Sequence, residues 1–410
     1  MVELFSLGDL FVSDFIKPGD KPRGGREPLK MMFDPETTAL RLESPTDPNK
    51  MYGQYWYRSA INDTMVKELK SIAEKLPSLV KIDDGDVFLD IACNDGTLLK
   101  YTPSNMIRVG VDPADSTYTK ESRAISDDVI QDYFSEEAYR SGKFGEKQAK
   151  IVTIIAMFYD VDDPMGFLND VEKILDDDGL LVIQMSYTPL MIRQLAFDNI
   201  CHEHIYYYNL TSITRLLSQV GMKVVDCKLN DINGGSFRVY ARKCKSSDYN
   251  FATSPFRDVA QYRIESILNM EEAQHMTTVE PYLNFYEQIC KLREQTMEFI
   301  REIKTQGKSM WCYGASTKGN TLLQWYGLND TLVDGIAERS PFKFGLRTVG
   351  SNIPIYSEEE MRKINPDYML VLPWHFIGEF VKREKEYLNN GGKFIVPCPK
   401  FEIIGGGSRI

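Results

Sequence analysis

The sequence predicts an α/β protein with two parallel-sheet domains behind a small N-terminal element, and three observations carry that reading. Short apolar runs, "DVFLDIA", "IRVGVD", "KIVTIIAMF" and "GLLVIQMS", alternate with amphipathic stretches, the pattern of a parallel sheet with helices on both faces. A second series, "SMWCYGA", "LVDGIAE", "YMLVLPW" and "KFIVPCP", repeats that alternation nearer the C-terminus. In each series the first strand passes through small residues into a helix, in "FLDIACNDGTLLKY" and in "YGASTKGNTLL".

Taken in order, residues 1–60 are rich in Pro, Gly and charge ("IKPGDKPRGGREP", "ESPTDPNK") and read as a loop-dominated element packed on the rest. Helical spacing of apolar residues begins at "INDTMVKELKSIAEKL" and opens the larger α/β domain, 61–245, which closes on the alternating strand "SFRVYARK". Residues 246–304 read as a helical connector ending in "YEQICKLREQTMEFIREIKTQ". The smaller α/β domain occupies 305–410, with a flexible tail "GGGSRI".

Bulk properties narrow the function. With 410 residues, 43% hydrophobic and 26% charged, the chain fits a globular protein of two or three domains. The longest apolar run is strand-sized, so no membrane span is expected, and the N-terminus does not resemble a signal peptide. Seven scattered cysteines without a CxxC pair suit reduced thiols in a cytoplasm. A formal charge of −11 argues against nucleic acid as the main ligand. A small phosphate-bearing ligand and a monomer or homodimer fit better.

The first turn offers Asp90, Ala92, Asn94, Asp95 and Gly96, and the next strand ends in Asp112. A small-residue turn admits a ligand to the backbone, and an acid after the second strand can bind ribose hydroxyls. A plain structural reading is a tight turn with solvent-facing acids. The D-x-x-C-N-D-G-T pattern resembles the first motif of class I S-adenosylmethionine-dependent methyltransferases. That resemblance implies the leading acid near the methionine amino group and Asp112 on the ribose. It also places Asp132, beside Tyr133, at the adenine edge, and Met157 and Phe158 by the methyl group.

"FDNICHEHIYYYN" holds two of the four histidines. Cys201, His202, Glu203 and His204 are consecutive and cannot converge on one metal without severe backbone distortion. An acid–base cluster is favoured, because histidine titrates near neutrality and a carboxylate can tune it. A hydrogen-bonded polar turn is the plainer alternative. In the second glycine-containing turn, Gly314, Ser316, Lys318 and Asn320 could receive a phosphate at a helix start, or simply pack. Trp374 and His375 follow another strand and could stack on a base.

"MFYDVDDPMGFL", "MSYTPLMIRQLAFDNICHEHIYYYNLTSI" and "LNDINGGSFRVYARK", followed in order by "WCYGASTKGNTLLQWYG", "IPIYSEEE", "PDYMLVLPWHF" and "GGKFIVPCP", resemble the nucleotide-sugar C-methyltransferase family over residues 52–404. The resemblance implies a class I Rossmann-like sheet followed by a smaller Rossmann-like domain, S-adenosylmethionine as cofactor and a keto-deoxysugar nucleotide as substrate. It makes His204 the base, with Glu203, His202 and Tyr207 in support. Tyr57, Asn199, Cys201, Asn233, Gly235, Arg238, Lys318, Asn320, Trp374 and His375 are then expected to line the substrate cleft. The family usually opens with a zinc-binding domain of cysteine pairs, whereas no cysteine here precedes Cys93, so no metal is expected. Cys201 also stands where family members often carry a catalytic tyrosine. O- or N-methylation, and a fold that binds without catalysis, remain open.

Overall fold

The computed structural model describes residues 1–22, 24–47, 58–114, 116–246, 256–406 and 408–409. Its first strands are β1 (Val2–Phe11), β2 (Phe15–Ile16), β3 (Arg26–Phe33) and β4 (Leu40–Leu42). The expectation of a loop-dominated N-terminus is therefore corrected. β1, β3 and β4 pair antiparallel, and the proline- and glycine-rich run is only their connection. Phe5, Leu7 and Leu10 of β1 are buried, and Phe5 stacks on Tyr286 at 4.5 Å between ring centroids.

The larger domain contains β5 (Val87–Ile91), β6 (Ile107–Val111), β7 (Asp128–Ile130), β8 (Ala149–Ile155) and β9 (Leu175–Ser186). After them come the short β10 (Tyr206–Tyr207), then β11 (Met222–Asn230) and β12 (Ser236–Lys243). Seven strands form one sheet in the order β11-β12-β9-β8-β5-β6-β7. β12 runs antiparallel to both neighbours, and the other pairings are parallel. β5 is buried throughout, as a central parallel strand covered on both faces should be. Chain order reverses at β5, between β6 and β8, which puts a ligand crevice at its carboxyl end.

β10 belongs elsewhere. It pairs with β4, so the four-stranded N-terminal sheet, β1-β3-β4-β10, is completed by residues just past the histidine cluster.

The connector divides between its neighbours. The Phe256–Ala273 helix packs Ile264 and Ile267 into the larger domain's core, with Arg263 paired to Asp226 of β11 at 2.6 Å. The Glu280–Thr305 helix buries Tyr282, Phe285, Ile289 and Ile300 in a core shared by the N-terminal sheet and the C-terminal domain.

The C-terminal domain has β13 (Met310–Tyr313), β14 (Gly335–Glu338), β15 (Arg347–Thr348), β16 (Ile355–Ser357), β17 (Tyr368–Val371), β18 (Lys393–Val396), β19 (Glu402–Gly405) and β20 (Ser408–Arg409). Its sheet runs β16-β14-β13-β17-β18-β19-β20, parallel as far as β18. β15 pairs instead with β2. Among the described residues no helix is long and apolar enough to cross a membrane.

Candidate active site

The turn after β5 has an unusual backbone. Ala92, Asn94 and Gly96 all have positive φ, at 61°, 51° and 77°. For a non-glycine residue this conformation costs about 1–2 kcal/mol, and such strain tends to persist where a ligand is clamped. At Gly96 a Cβ would come 2.9 Å from Ser122 Cα, so the close approach of the following helix requires glycine there.

Three buried acids surround the turn. Asp112 Oδ2 accepts Asn94 N–H at 2.8 Å and Oδ1 accepts Ala114 N–H at 2.9 Å, which leaves each oxygen a further lone pair for a ligand hydroxyl. Burial raises the Asp112 pKa. Asp90 accepts Thr153 Oγ1–H at 2.7 Å, and burial, with smaller contributions from Asp112 and Asp95, pushes its carboxyl up to about 7. Asp95 accepts Thr97 N–H and Ala60 N–H, while Asn94 Oδ1 accepts Ser59 N–H, so the Ser59–Ile61 turn lies over the loop. Strained backbone, an acid at the end of each of the first two strands and a covering segment fit a cationic nucleoside cofactor.

Three expected cofactor contacts fare differently. Phe158 is fully buried between Phe167 and Tyr208, because Ala156 turns the chain at φ 55° and directs Phe158 into the core. Met157, half-buried, stands nearer the end of β8. Asp132 is exposed and accepts the Tyr133 N–H.

The histidine loop is anchored at Phe197, whose ring lies 4.8 Å from Trp325 and 5.5 Å from Tyr326. The Asn199 carbonyl accepts from His204 Nδ1 at 2.8 Å and from Tyr207 Oη at 3.3 Å. A carbonyl only accepts, so Nδ1 carries the proton and Nε2 is left with the lone pair. Burial, assisted by the Lys318 charge, lowers the His204 pKa to about 3. Burial pushes the Glu203 carboxyl up to about 7, with Lys318 opposing. His202 points away: its Nε2 donates to the Glu27 carbonyl at 3.0 Å and ties the loop to the N-terminal sheet. Tyr207 is likewise engaged with the His204 partner carbonyl. Cys201 is buried and its thiol pKa is raised, so it is a poor proton donor or nucleophile.

Sequence reasoning missed Tyr159, whose ring lies 4.2 Å from the His204 ring. Its position shortly after β8, in "MFYDVDDP", was the available signal.

The C-terminal residues separate into groups. Lys318 Nζ donates to Asn199 Oδ1 at 2.6 Å. Ser316 caps the Thr317–Tyr326 helix through Gly319 N–H, and Gly314 has φ 84° with Pro373 against it. Asn320 is fully buried and donates to the Asp14 carbonyl, so it anchors the N-terminal element instead of facing a ligand. Trp374 is buried against Gly234. His375 and Asn233 line one cavity of about 220 Å³ with Asn62, Asp231 and Glu379, between the two α/β domains. Burial and Lys318 lower the His375 pKa to about 3. Gly235 has φ 115° with Leu190 pressed against it. Arg238 is taken up internally by Gln184, Tyr240 and Glu68, which corrects its assignment to the substrate cleft. Tyr57 lies outside the described residues. Among the described residues no group of three or more His, Cys, Asp or Glu could hold a metal ion.

A parallel sheet with one antiparallel strand next to its edge, a strained turn after its first strand and a buried acid after its second define a class I S-adenosylmethionine-dependent methyltransferase. Residues 61–226 match a methyltransferase domain model, and 231–399 match the C-methyltransferase C-terminal domain. The chain therefore carries a methyltransferase domain followed by a C-methyltransferase C-terminal domain. It is 28% identical over 397 residues to C-methyltransferase NovU of Streptomyces niveus, covering 96% of this chain and 92% of that one. Among solved structures, the plantazolicin methyltransferase BpumL in complex with SAH is 14% identical with a TM-score of 0.33, over 43% of this chain and 82% of that chain. Magnesium protoporphyrin IX methyltransferase (ChlM) from Synechocystis PCC 6803 with bound SAM is 10% identical with a TM-score of 0.34, over 47% and 87%.

Proposed function

We propose that the enzyme methylates a carbon next to the ketone of a nucleotide-linked deoxysugar, with His204 removing the proton. The observation supporting this is the contact of His204 Nδ1 with the Asn199 carbonyl, which leaves Nε2 as the accepting nitrogen. The depressed pKa keeps the imidazole in its accepting form throughout the working range. It also means that the imidazole holds a proton weakly. Glu203, the next residue and titrating near 7, is suited to share that proton or to balance the imidazolium. S-Adenosylmethionine supplies an electrophilic methyl group. The protein's part is to hold the carbon in line with it, and positioning of this kind is worth several kcal/mol of the barrier. In this reading Asp112 takes the ribose hydroxyls, and Asp90 with the strained turn takes the amino-acid end. The cavity lined by Asn233 and His375 is the candidate path for the sugar nucleotide.

The test is solvent-deuterium uptake into a nucleotide-linked keto-deoxysugar, followed by mass spectrometry. Uptake that needs His204 supports carbon methylation. Methyl transfer to the sugar without any uptake would favour the O- or N-methylating alternative.

A further inference from the structure

Lys318 of the C-terminal domain reaches the histidine loop directly. Lys318 lies in the first turn of the Thr317–Tyr326 helix, where the Ser316 cap fixes its backbone. Its ammonium donates to Asn199 Oδ1 at 2.6 Å, while the carbonyl of the same asparagine holds His204 Nδ1 at 2.8 Å. Phe197, two residues earlier, is packed against Trp325 and Tyr326 near the end of that helix. The two ends of one helix thus grip one short turn of the catalytic loop.

The electrostatics run the same way. The groups around Lys318 are Asp198, Cys201, Glu203 and His204 on the loop and His375 from the turn after β17, and its charge acts on each of them. Asp160, beyond β8, acts on Cys201 and Tyr207. Asp198 is 2% exposed, and burial raises its pKa while the Lys318 charge and the Trp374 indole oppose that rise.

We propose that Lys318 is a positioning residue for methyl transfer: through Asn199 it aims His204 with Nε2 toward the substrate, and it makes that aim depend on the seating of the C-terminal domain. This rests on the reading of His204 as the base, yet the arrangement itself can be observed without turnover. A neighbouring ammonium lowers the pKa of both an acid and an imidazole, so its removal raises both.

The experiment uses the full chain with ring-labelled histidine, whose four imidazoles can be assigned by single variants. In the wild type, His204 is expected as the neutral Nδ1–H tautomer, without titration between about pH 5 and 8. Lys318→Met should give mixed tautomers and a higher His204 pKa, and Lys318→Arg should restore the wild-type signal. Asn199→Ala removes only the side-chain contact and keeps the ammonium, so it should give the mixed tautomers of Lys318→Met with a smaller rise in pKa. In the tautomer signal the double variant should be no worse than either, the non-additivity of a shared contact. Calorimetric S-adenosylmethionine affinity close to wild type would show that each variant is folded. A His204 signal unchanged in Lys318→Met overturns the proposal. So does a loss confined to KM for the keto-sugar nucleotide with that signal unchanged, which would make Lys318 a phosphate ligand. Normal turnover in His204→Asn sinks the base assignment separately and leaves the Lys318 effect on the imidazole standing.

Discussion

His204 Nδ1 and the Asn199 carbonyl oxygen lie 2.8 Å apart, and that contact fixes which nitrogen of the ring is basic. His202, two residues earlier, donates from Nε2 to Glu27 and faces the N-terminal sheet. The histidines of one short motif therefore serve opposite sides of the loop.

The first prediction follows from that division. His204→Asn should lower turnover by about 10²–10⁴-fold, the usual contribution of a general base, with S-adenosylmethionine affinity nearly unchanged. His202→Ala should cost less turnover and more thermal stability, since it releases the Glu27 contact. Steady-state kinetics alongside thermal melts would separate the two variants, and equal kinetic losses would contradict the geometry.

Asp112→Ala should weaken S-adenosylmethionine binding by about 1.5–3 kcal/mol, the value of hydrogen bonds to a charged group. Part of this loss would come from the turn itself, because Asn94 N–H and Ala114 N–H both depend on that carboxylate. Asp112→Asn keeps one acceptor oxygen and should be milder. Titration calorimetry on both variants checks the order.

The third prediction concerns pH. Asp90 and Glu203 have native pKa values raised to about 7, above the ordinary carboxylate range. Between their unfolded and folded pKa values the native state holds the extra protons. Their contribution to stability is thus fully present below about pH 4 and is lost as pH rises through about 7. Without cofactor, wild-type protein should lose more melting temperature than Asp90→Asn between about pH 5 and 8. Parallel melting curves for the two proteins would show that Asp90 is not protonated in the native state.

Arg238 and Glu68 give the fourth. Their side chains are 11% and 14% exposed, and removing one partner strands the other. Arg238→Ala should destabilise the fold by about 3–5 kcal/mol, the usual penalty for breaking a buried ion pair, as read from urea unfolding. Intact stability with a raised KM would return Arg238 to the substrate cleft.

What the sequence made legible follows from how each element is buried. β5 and β8 are covered on both faces, so they appear as largely apolar runs, and the crevice at their ends could be read with them. β1 hid because Gly8, at φ 94°, falls where its register shifts and breaks the alternation. β10 hid because two tyrosines beside a histidine cluster look like site residues, and their pairing with β4 is a long-range event. Asp90 and Asp112 stood out by residue type and spacing around the first turn, whereas the roles expected of His204 and Glu203 came from the family resemblance. Phe158 and Arg238 were misplaced because a single left-handed residue at Ala156 and a partner in a distant helix leave no local trace. Where Lys318 would reach depended on how two domains pack, which no spacing encodes.

The pairing of β10 with β4 has a consequence for the handling of the chain. Leu42 N–H also donates to the Ile205 carbonyl at 2.8 Å, and Arg41 reaches the Tyr206 hydroxyl at 2.9 Å. A protease that clipped away the first forty-odd residues would strip the residue after His204 of its support while leaving the β5 turn and its acids untouched. Retention on a cofactor resin reports on the β5 turn and not on this support, so it is a misleading assay for intact enzyme.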